Sequence, residues 1–294
     1  TKGIAPYKTV ITHGMIVDEE RQKMSKSAGN GISPQELTEQ YGADILRLWV
    51  ASADYRQDMR ISKDMFKHLS QNYLKIRNTA RYILGNLQGF NVNELVPYEK
   101  LTELDKWALM KLNDLVTRVR KGYDAYEFHT VMHAVHNFCV VDMSNFYLDV
   151  IKDRLYCDGK DSVSRLAAQT TIYNFLNALV RMIAPILCFT ADGIWKAMPH
   201  TEGDDMGNIM LNDMAASDFL NNCGLNMDEL AALSVVSKLR VVYNAELDDA
   251  ENDISVEIER ASGDKCERCW MYVDSIGKNE KHPTLCARCA EVVG

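Results

Sequence analysis

Lys23-Met24-Ser25-Lys26-Ser27, with Gly29-Asn30 directly behind it, is the stretch from which the rest of this chain is read. Two lysines and two serines make a short cationic loop suited to a polyphosphate. A lysine ammonium is a mobile point charge with three N–H donors, and a serine hydroxyl adds a donor without adding charge repulsion. Glycine permits positive φ and close approach of backbone to a phosphate. A generic K-x-x-K would instead be a solvated basic loop, so the flanking residues decide between the two.

Upstream, Lys8 to Val17 is rich in β-branched residues and predicts a strand, followed by a polar turn at Asp18-Glu19-Glu20-Arg21. Downstream, Ser33 is an expected N-cap, Pro34 sits at the first helical position, and Glu36 is placed to close a capping box. Leu37, Tyr41, Leu46 and Trp49 then mark helix, with Gly42 as a stop before a second helix through Ala51. The loop thus joins a strand to a helix, the setting used by many nucleotide-binding α/β folds. His13-Gly14 precedes it and reads either as pocket lining or as a strand-end turn.

From Ser62 onward the pattern is helical. Phe66, Leu69, Tyr73, Ile76 and Ala80 recur at three- and four-residue spacing, and Leu84 and Leu87 continue the stripe. Gly89 to Pro97 is a break. Leu104, Trp107, Leu112, Leu115 and Val119 mark a second long helix. Thr130 to Tyr156 and Ser164 to Met198 predict two more, the last kinked at Pro185. Thr201 to Asn208 ends this bundle. Val235 to Tyr243 and Ile254 to Arg260 predict strands. The fold class expected is mainly α: a short α/β portion over residues 1–60, a long-helix bundle over 61–200, a linker over 201–234 and a small β/metal module over 235–294.

That module ends in Cys266-Glu267-Arg268-Cys269, sixteen further residues, and Cys286-Ala287-Arg288-Cys289. Two matched C-x2-C knuckles predict one structural zinc held by Cys266, Cys269, Cys286 and Cys289, with no open coordination position. Four thiolates on Zn2+ carry a formal charge of −2, which Lys265, Arg268 and Arg288 are placed to offset, or they contact phosphates. A redox C-x-x-C, two disulfides or an iron–sulfur cluster are the other readings of the quartet. Cys139, Cys157, Cys188 and Cys223 are scattered and read as reduced, mostly buried thiols of a cytoplasmic protein.

With 294 residues and 47 % hydrophobic content the chain can bury a sizeable core. No apolar run reaches the roughly 18–20 residues that span a bilayer. Thr1 to Pro6 has no signal-peptide character, and without a starting Met it reads as the inside of a longer protein. The net charge of −8 argues against a uniformly basic nucleic-acid binder. Residues 1–90 nevertheless carry 13 Lys+Arg against 9 Asp+Glu, which places a phosphate-handling surface near the front. Glu246 to Asp253 is acidic and reads as a solvated connection. His129, His133 and His136 have helical spacing but no carboxylate beside them in the sequence, so they read as packing or surface groups. Met24, Met59 and Met65 read as packing. Arg77, Arg81 and Lys121 are basic helix positions whose ordinary reading is a solvated face.

Several stretches together resemble one family. Thr12-His-Gly-Met-Ile-Val-Asp18 with Arg21 to Asn30, and Asp44-Ile-Leu-Arg-Leu-Trp-Val-Ala51, are similar to the isoleucine, valine and leucine subgroup of class I aminoacyl-tRNA synthetases. Asn137 to Asp149, Lys152-Asp-Arg-Leu-Tyr156 and Cys266-Glu-Arg-Cys-Trp270 resemble the isoleucyl-tRNA synthetase family within it. The resemblance implies the C-terminal portion of such an enzyme. The whole enzyme activates isoleucine with ATP (with Mg2+) and transfers it to isoleucine-specific tRNA. Lys26, supported by Lys23, is implied as the cation on the phosphates. Met24, Ser25, Ser27, Gly29 and Asn30 complete the ATP loop, with Ser25 and Ser27 holding it closed. The bundle is implied to bind the anticodon side of the tRNA, and the zinc module to touch tRNA nearby. A monomeric, cytoplasmic protein is implied, with no membrane partner. The first signature and main nucleotide-binding half of the family lie outside the chain, so the chain alone is expected to be inactive. The stretch after Met214-Ala215 is expected to be shorter than in the family. A stand-alone tRNA-binding module and a zinc-stabilised interaction protein are the competing readings.

Overall fold

The computed structural model describes residues 5–25, 27, 29–215 and 262–294. The chain divides into two compact units. One comprises Thr1–Gly85, Leu112–Val140 and Leu176–Ser217; the other comprises Asn86–Lys111, Val141–Phe175 and Asp218–Gly294.

In the first unit, β1 (Ile16–Val17) pairs in parallel with β2 (Met59–Arg60), with Ile16 opposite Met59 and Val17 opposite Arg60. The strand predicted over 8–17 is therefore confined to its last two residues, and Tyr7, Val10, Ile11 and Met15 are exposed. A β-rich sequence becomes a strand only where a partner strand runs beside it, and β2 does so at Ile16 and Val17. Gly14 makes that meeting feasible: a Cβ there would stand 2.3 Å from the backbone carbonyl of Gln57.

The loop after β1 leads into α1 (Pro34–Tyr41), which ends at Gly42, and α2 (Ala43–Ser52) follows. Ser33 caps α1 by accepting a hydrogen bond from Gln35 N at 3.2 Å. Glu36 makes no return bond to Ser33, so half of the predicted capping box forms. Leu37, Ile45, Trp49, Ile61 and Phe66 bury a core against which Met24 and Met59 pack. The Phe66 ring lies 5.5 Å from Tyr41 and 5.7 Å from Trp49.

On α3 (Lys63–Asn86), Phe66, Ile76 and Ala80 of the expected stripe are buried, as is Leu87 just beyond it, while Leu69, Tyr73 and Leu84 are half-buried and Ile83 takes a core position beside Leu84. α4 (Glu103–Asp124) follows a break that contains one short 3-10 turn at Tyr98–Lys100. The helix predicted over 130–156 is interrupted: α5 (Phe128–Asn137), a π-helix (Phe138–Tyr147), α6 (Leu148–Val150) and α7 (Lys152–Cys157). Phe138, Cys139, Met143 and Tyr147 of the π-helix are all buried. The helix predicted over 164–198 breaks where a kink was expected, into α8 (Val163–Ile183) and α9 (Cys188–Trp195). Pro185 cannot donate, and Arg47 of α2 supplies what the break needs by donating to the carbonyls of Pro185 and Ile186 at 2.8 and 2.7 Å. Asp44, one turn earlier, accepts from Thr190 N and Oγ1 at the start of α9. One helix thereby satisfies both sides of the Pro185 break.

In the second unit a polar network is buried among apolar helices. Asp105 is wholly buried, accepts from the Tyr147 hydroxyl at 2.6 Å, and takes both arms of the Arg154 guanidinium at 2.9 and 2.7 Å. The Tyr147 hydroxyl is held well above its usual pKa by burial and by the Asp105 carboxylate. Removing Asp105 leaves the Arg154 charge largely buried without its counter-ion, so Asp105→Ala is expected to cost about 3–5 kcal/mol, read as a lowered urea midpoint with little change in slope. A loss below about 1 kcal/mol would show that the network is incidental.

This unit also carries a short antiparallel pair, β3 (Asp264–Lys265) with β4 (Tyr272–Val273), and α10 (Ala287–Val293). The strands predicted at 235–243 and 254–260, Cys223 and the acidic Glu246–Asp253 stretch lie outside the described residues.

Candidate functional site

The signature loop is organised by two side chains. Asp18 closes the turn after β1: its carboxylate accepts from Gln22 N at 2.7 Å and Glu20 N at 3.1 Å. Its other oxygen takes the Asn30 amide at 2.8 Å. Asn30 in turn accepts from Ser25 N at 2.9 Å and stands 3.4 Å from the Lys23 carbonyl. These bonds, led by Asn30, hold the Asp18 carboxyl below its usual pKa. Backbone pairing between Val17 and Lys23 turns the chain back on itself. The Ser25 and Ser27 hydroxyls lie 3.1 Å apart, and Gly29 adopts a φ of 68° that favours glycine. Met24 faces the core, while Lys23 is exposed.

The loop is thus an arch, closed by Asn30 and Asp18 at its feet, with its serines and Lys23 on the rim. Lys26 lies outside the described residues. Sequence reasoning placed Asn30 in the loop but gave Asp18 no part beyond a polar turn. The signal was present: an Asp at the first position of a turn, twelve residues before an Asn, and both able to bond backbone. His13 donates from Nδ1 to the Gly14 carbonyl at 2.7 Å, which fits the strand-end turn.

The four knuckle cysteines come together. Their sulfurs all lie within 4.8 Å of one another, and the Cys269 and Cys286 Sγ atoms are 3.8 Å apart. A tetrahedral ion with Zn–S of about 2.3 Å requires sulfurs about 3.8 Å apart, so the quartet fits zinc. A disulfide would need about 2.05 Å, and all seven described cysteines are free thiols. Cys266 and Cys289 are fully buried. Burial works against ionising Cys266, but backbone N–H groups of Cys269, Cys286 and Arg268 outweigh it and bring its pKa down to about 6. Burial pushes Cys289 the other way. Among the described residues no other group of three or more His, Cys, Asp or Glu side chains converges in this way.

The basic residues near the quartet are already engaged. Lys265 Nζ sits 4.3 Å from the centre of the exposed Trp270 ring, Arg268 donates to the Tyr156 carbonyl, and Arg288 pairs with Asp153 and Asp158. Cys139 and Cys157 are buried with thiols pushed up to about 12, chiefly by desolvation. Cys188 is half-buried. His133 and His136 share the wall of a small cavity with Ser52 and Asn72, without a carboxylate. Arg77, Arg81 and Lys121 are exposed.

Comparison with known proteins agrees with this layout. Residues 105–257, more than half of the chain, match the anticodon-binding domain of tRNA ligase. Residues 1–62 match the class I tRNA synthetases for I, L, M and V, and residues 263–292 match the zinc finger found in FPG and IleRS.

The chain belongs to the isoleucine–tRNA ligase family.

The isoleucine–tRNA ligase of Syntrophotalea carbinolica is 44 % identical over 345 residues, covering 100 % of this chain and 37 % of the relative. That of Caldanaerobacter subterraneus subsp. tengcongensis is 41 % identical over 347 residues, covering 99 % and 37 %. The chain therefore spans a little over a third of the isoleucine–tRNA ligases it matches, and at 294 residues it is shorter than the aligned stretch. A solved Mycobacterium tuberculosis methionyl-tRNA synthetase in complex with methionyl-adenylate shares the fold at a TM-score of 0.52 and 20 % identity, covering 63 % of this chain and 37 % of that one. Among the described residues no helix is long and apolar enough to cross a membrane.

Proposed function

We propose that this chain serves an isoleucine–tRNA ligase by supplying its ATP-clamping loop, its anticodon-side tRNA surface and one structural zinc. The observation that carries the reading is the pairing, in one chain, of an arched K-M-S-K-S loop inside a class I match with a four-thiol site inside a zinc-finger match. Amino-acid activation builds negative charge on the α-phosphate and the departing pyrophosphate of ATP (with Mg2+). A preplaced ammonium stabilises that charge more in the transition state than in the ground state. Lys26 is assigned that part and Lys23 supports it. Ser25, Ser27, Gly29 and Asn30 shape the loop, and its exposed rim lets it close on ATP and reopen.

Residues 1–60 are assigned to the catalytic portion, 61–200 to anticodon-side binding, 201–234 to a linker and 235–294 to the zinc module. Zinc bound by Cys266, Cys269, Cys286 and Cys289 holds the two knuckles together and does no chemistry on substrate. The protein is assigned to the cytoplasm as a monomer. Its substrates in the complete enzyme are isoleucine, ATP and isoleucine-specific tRNA.

Two measurements on the purified chain test this reading. ATP–pyrophosphate exchange with isoleucine is expected to stay at the blank rate, since the main nucleotide-binding half is not in the chain. Filter binding is expected to show affinity for isoleucine-specific tRNA that falls steeply with salt. Exchange well above blank would contradict the division of the active site. Absence of tRNA affinity at low salt would favour a zinc-stabilised interaction protein instead.

A further inference from the structure

The two knuckles share a feature beyond their cysteines. Each has an arginine immediately before its second cysteine: Arg268 before Cys269 and Arg288 before Cys289. Both arginines, which belong to the second unit, reach the same short element of that unit, α7 and the residue that follows it. Arg288 Nη1 lies 2.7 Å from Asp153 Oδ2 and 3.9 Å from Asp158 Oδ1. Arg268 Nη2 stands 3.4 Å from the Tyr156 carbonyl, a last-turn acceptor left open by the helix. Cys157, the last residue of α7, packs among Cys266, Cys286 and Cys289, and its Sγ is 3.8 Å from the Arg268 carbonyl.

We propose that Arg268 and Arg288 are a two-point latch that seats the zinc module on α7, with Asp153 as the principal receptor, and that metal binding sets the latch. A stretch of about thirty residues buries too little surface to hold its own shape. Few bonds tie one knuckle to the other, Glu267 N to the Thr284 carbonyl at 3.3 Å and Cys286 N to Cys266 Sγ at 3.3 Å, and the shared ion adds the tightest constraint on their separation. When the four thiolates close on it, the backbones at Arg268 and Arg288 acquire a fixed separation, and both guanidinium groups reach α7 together. Without the ion the two arginines are linked only through these weak ties, and two half-exposed contacts do not repay the ordering of two flexible side chains. Asp153 is therefore a positioning residue. It lies in the Lys152-Asp153-Arg154-Leu155-Tyr156 stretch, whose Arg154 faces the other way into the Asp105 network, so one turn of helix joins the module to the buried core of the unit.

The latch is tested on the whole zinc-loaded chain by hydrogen exchange over residues 287–293. Arg288→Ala is expected to speed exchange there about tenfold while zinc stays at one per chain. D153R is expected to do the same, and the double variant D153R/R288D to recover part of the loss, because the opposite-charge pair is restored in reverse while Asp158 then faces a like charge. Chelation of the parent is expected to speed exchange at least as much as Arg288→Ala. Unchanged exchange in Arg288→Ala, a double variant no better than the singles, or loss of zinc in Arg288→Ala would each overturn the latch. Its bearing on nucleic acid rests on the tRNA-binding reading above: with zinc retained, Arg288→Ala is expected to weaken tRNA binding about threefold to tenfold. A parent chain that binds no tRNA would overturn that reading, and the exchange result would still decide the latch.

Discussion

Cys286→Ser is expected to reduce bound zinc from one equivalent to below about a tenth and to strip hydrogen-exchange protection from residues 262–294. The reason is that the metal is the core of this module. Cys266, Cys286 and Cys289 are its buried centre, with Cys269, Val273, Ile276 and Leu285 packed around them. Structural zinc supplies roughly 10–16 kcal/mol of apparent binding free energy at neutral pH in small fingers, far more than so few apolar side chains contribute. The helical parts have their own cores and are expected to keep their circular dichroism. Zinc measured with a metallochromic dye, before and after thiol blocking, gives the stoichiometry. Retention of near one equivalent by Cys286→Ser would remove this cysteine from the ligand set.

The same site has a definite pH dependence. Metal requires thiolates, so protons compete with zinc and affinity falls as pH falls. Backbone N–H groups bring Cys266 down to about 6 and favour its thiolate. Burial raises Cys289 and favours its protonated form. Titration from pH 7.5 toward pH 5 is expected to release zinc progressively, with proton uptake accompanying each equivalent lost. Release that is independent of pH over this range would contradict thiolate ligation.

Lys26→Ala, placed in a complete ligase that carries this chain, is expected to lower kcat for ATP–pyrophosphate exchange about 100- to 1,000-fold with little change in KM for ATP. That is the size seen when one preorganised charge-stabilising donor is removed from a transition state. Lys26→Arg is expected to recover only part of it, since a planar fork does not replace a compact ammonium. Lys23→Ala is expected to cost less, about tenfold, as a supporting charge. A matched rise in KM with unchanged kcat would mean that Lys26 binds ATP uniformly and does not act in the chemical step.

How much of this was legible beforehand follows from what each feature depends on. The cysteine quartet was legible because C-x2-C pairs dictate their own local geometry, and only the distance between the pairs was left to the fold. Ser33 and Pro34 announced α1, and Gly42 its end, because caps and stops are written within one turn of the chain. The strand before the loop was overextended in the reading, because β pairing is made by a partner forty residues away at Met59 and Arg60. The continuous helix read over 130–156 failed for a related reason. Apolar residues there are dense enough to fit several periods, and the buried Cys139, Met143 and Tyr147 stand at α-helical intervals, so their spacing gives no sign of the π-turn at Phe138–Tyr147.

The sequence by itself determined the chemistry: which side chains can ligate zinc, which loop can meet a polyphosphate, and which family the chain resembles. Those properties reside in residue types and short spacings, whose physics is local. Only the tertiary structure decided what holds these parts in place. Asp18 and Asn30 meet across twelve residues to arch the loop, and Arg47 bridges 139 residues to satisfy the Pro185 break. Arg288, which sequence alone placed beside a charged metal site, is paired instead with Asp153, 135 residues earlier. A hydrogen bond or ion pair is set by distance in space, and the chain order of its partners carries almost no trace of it.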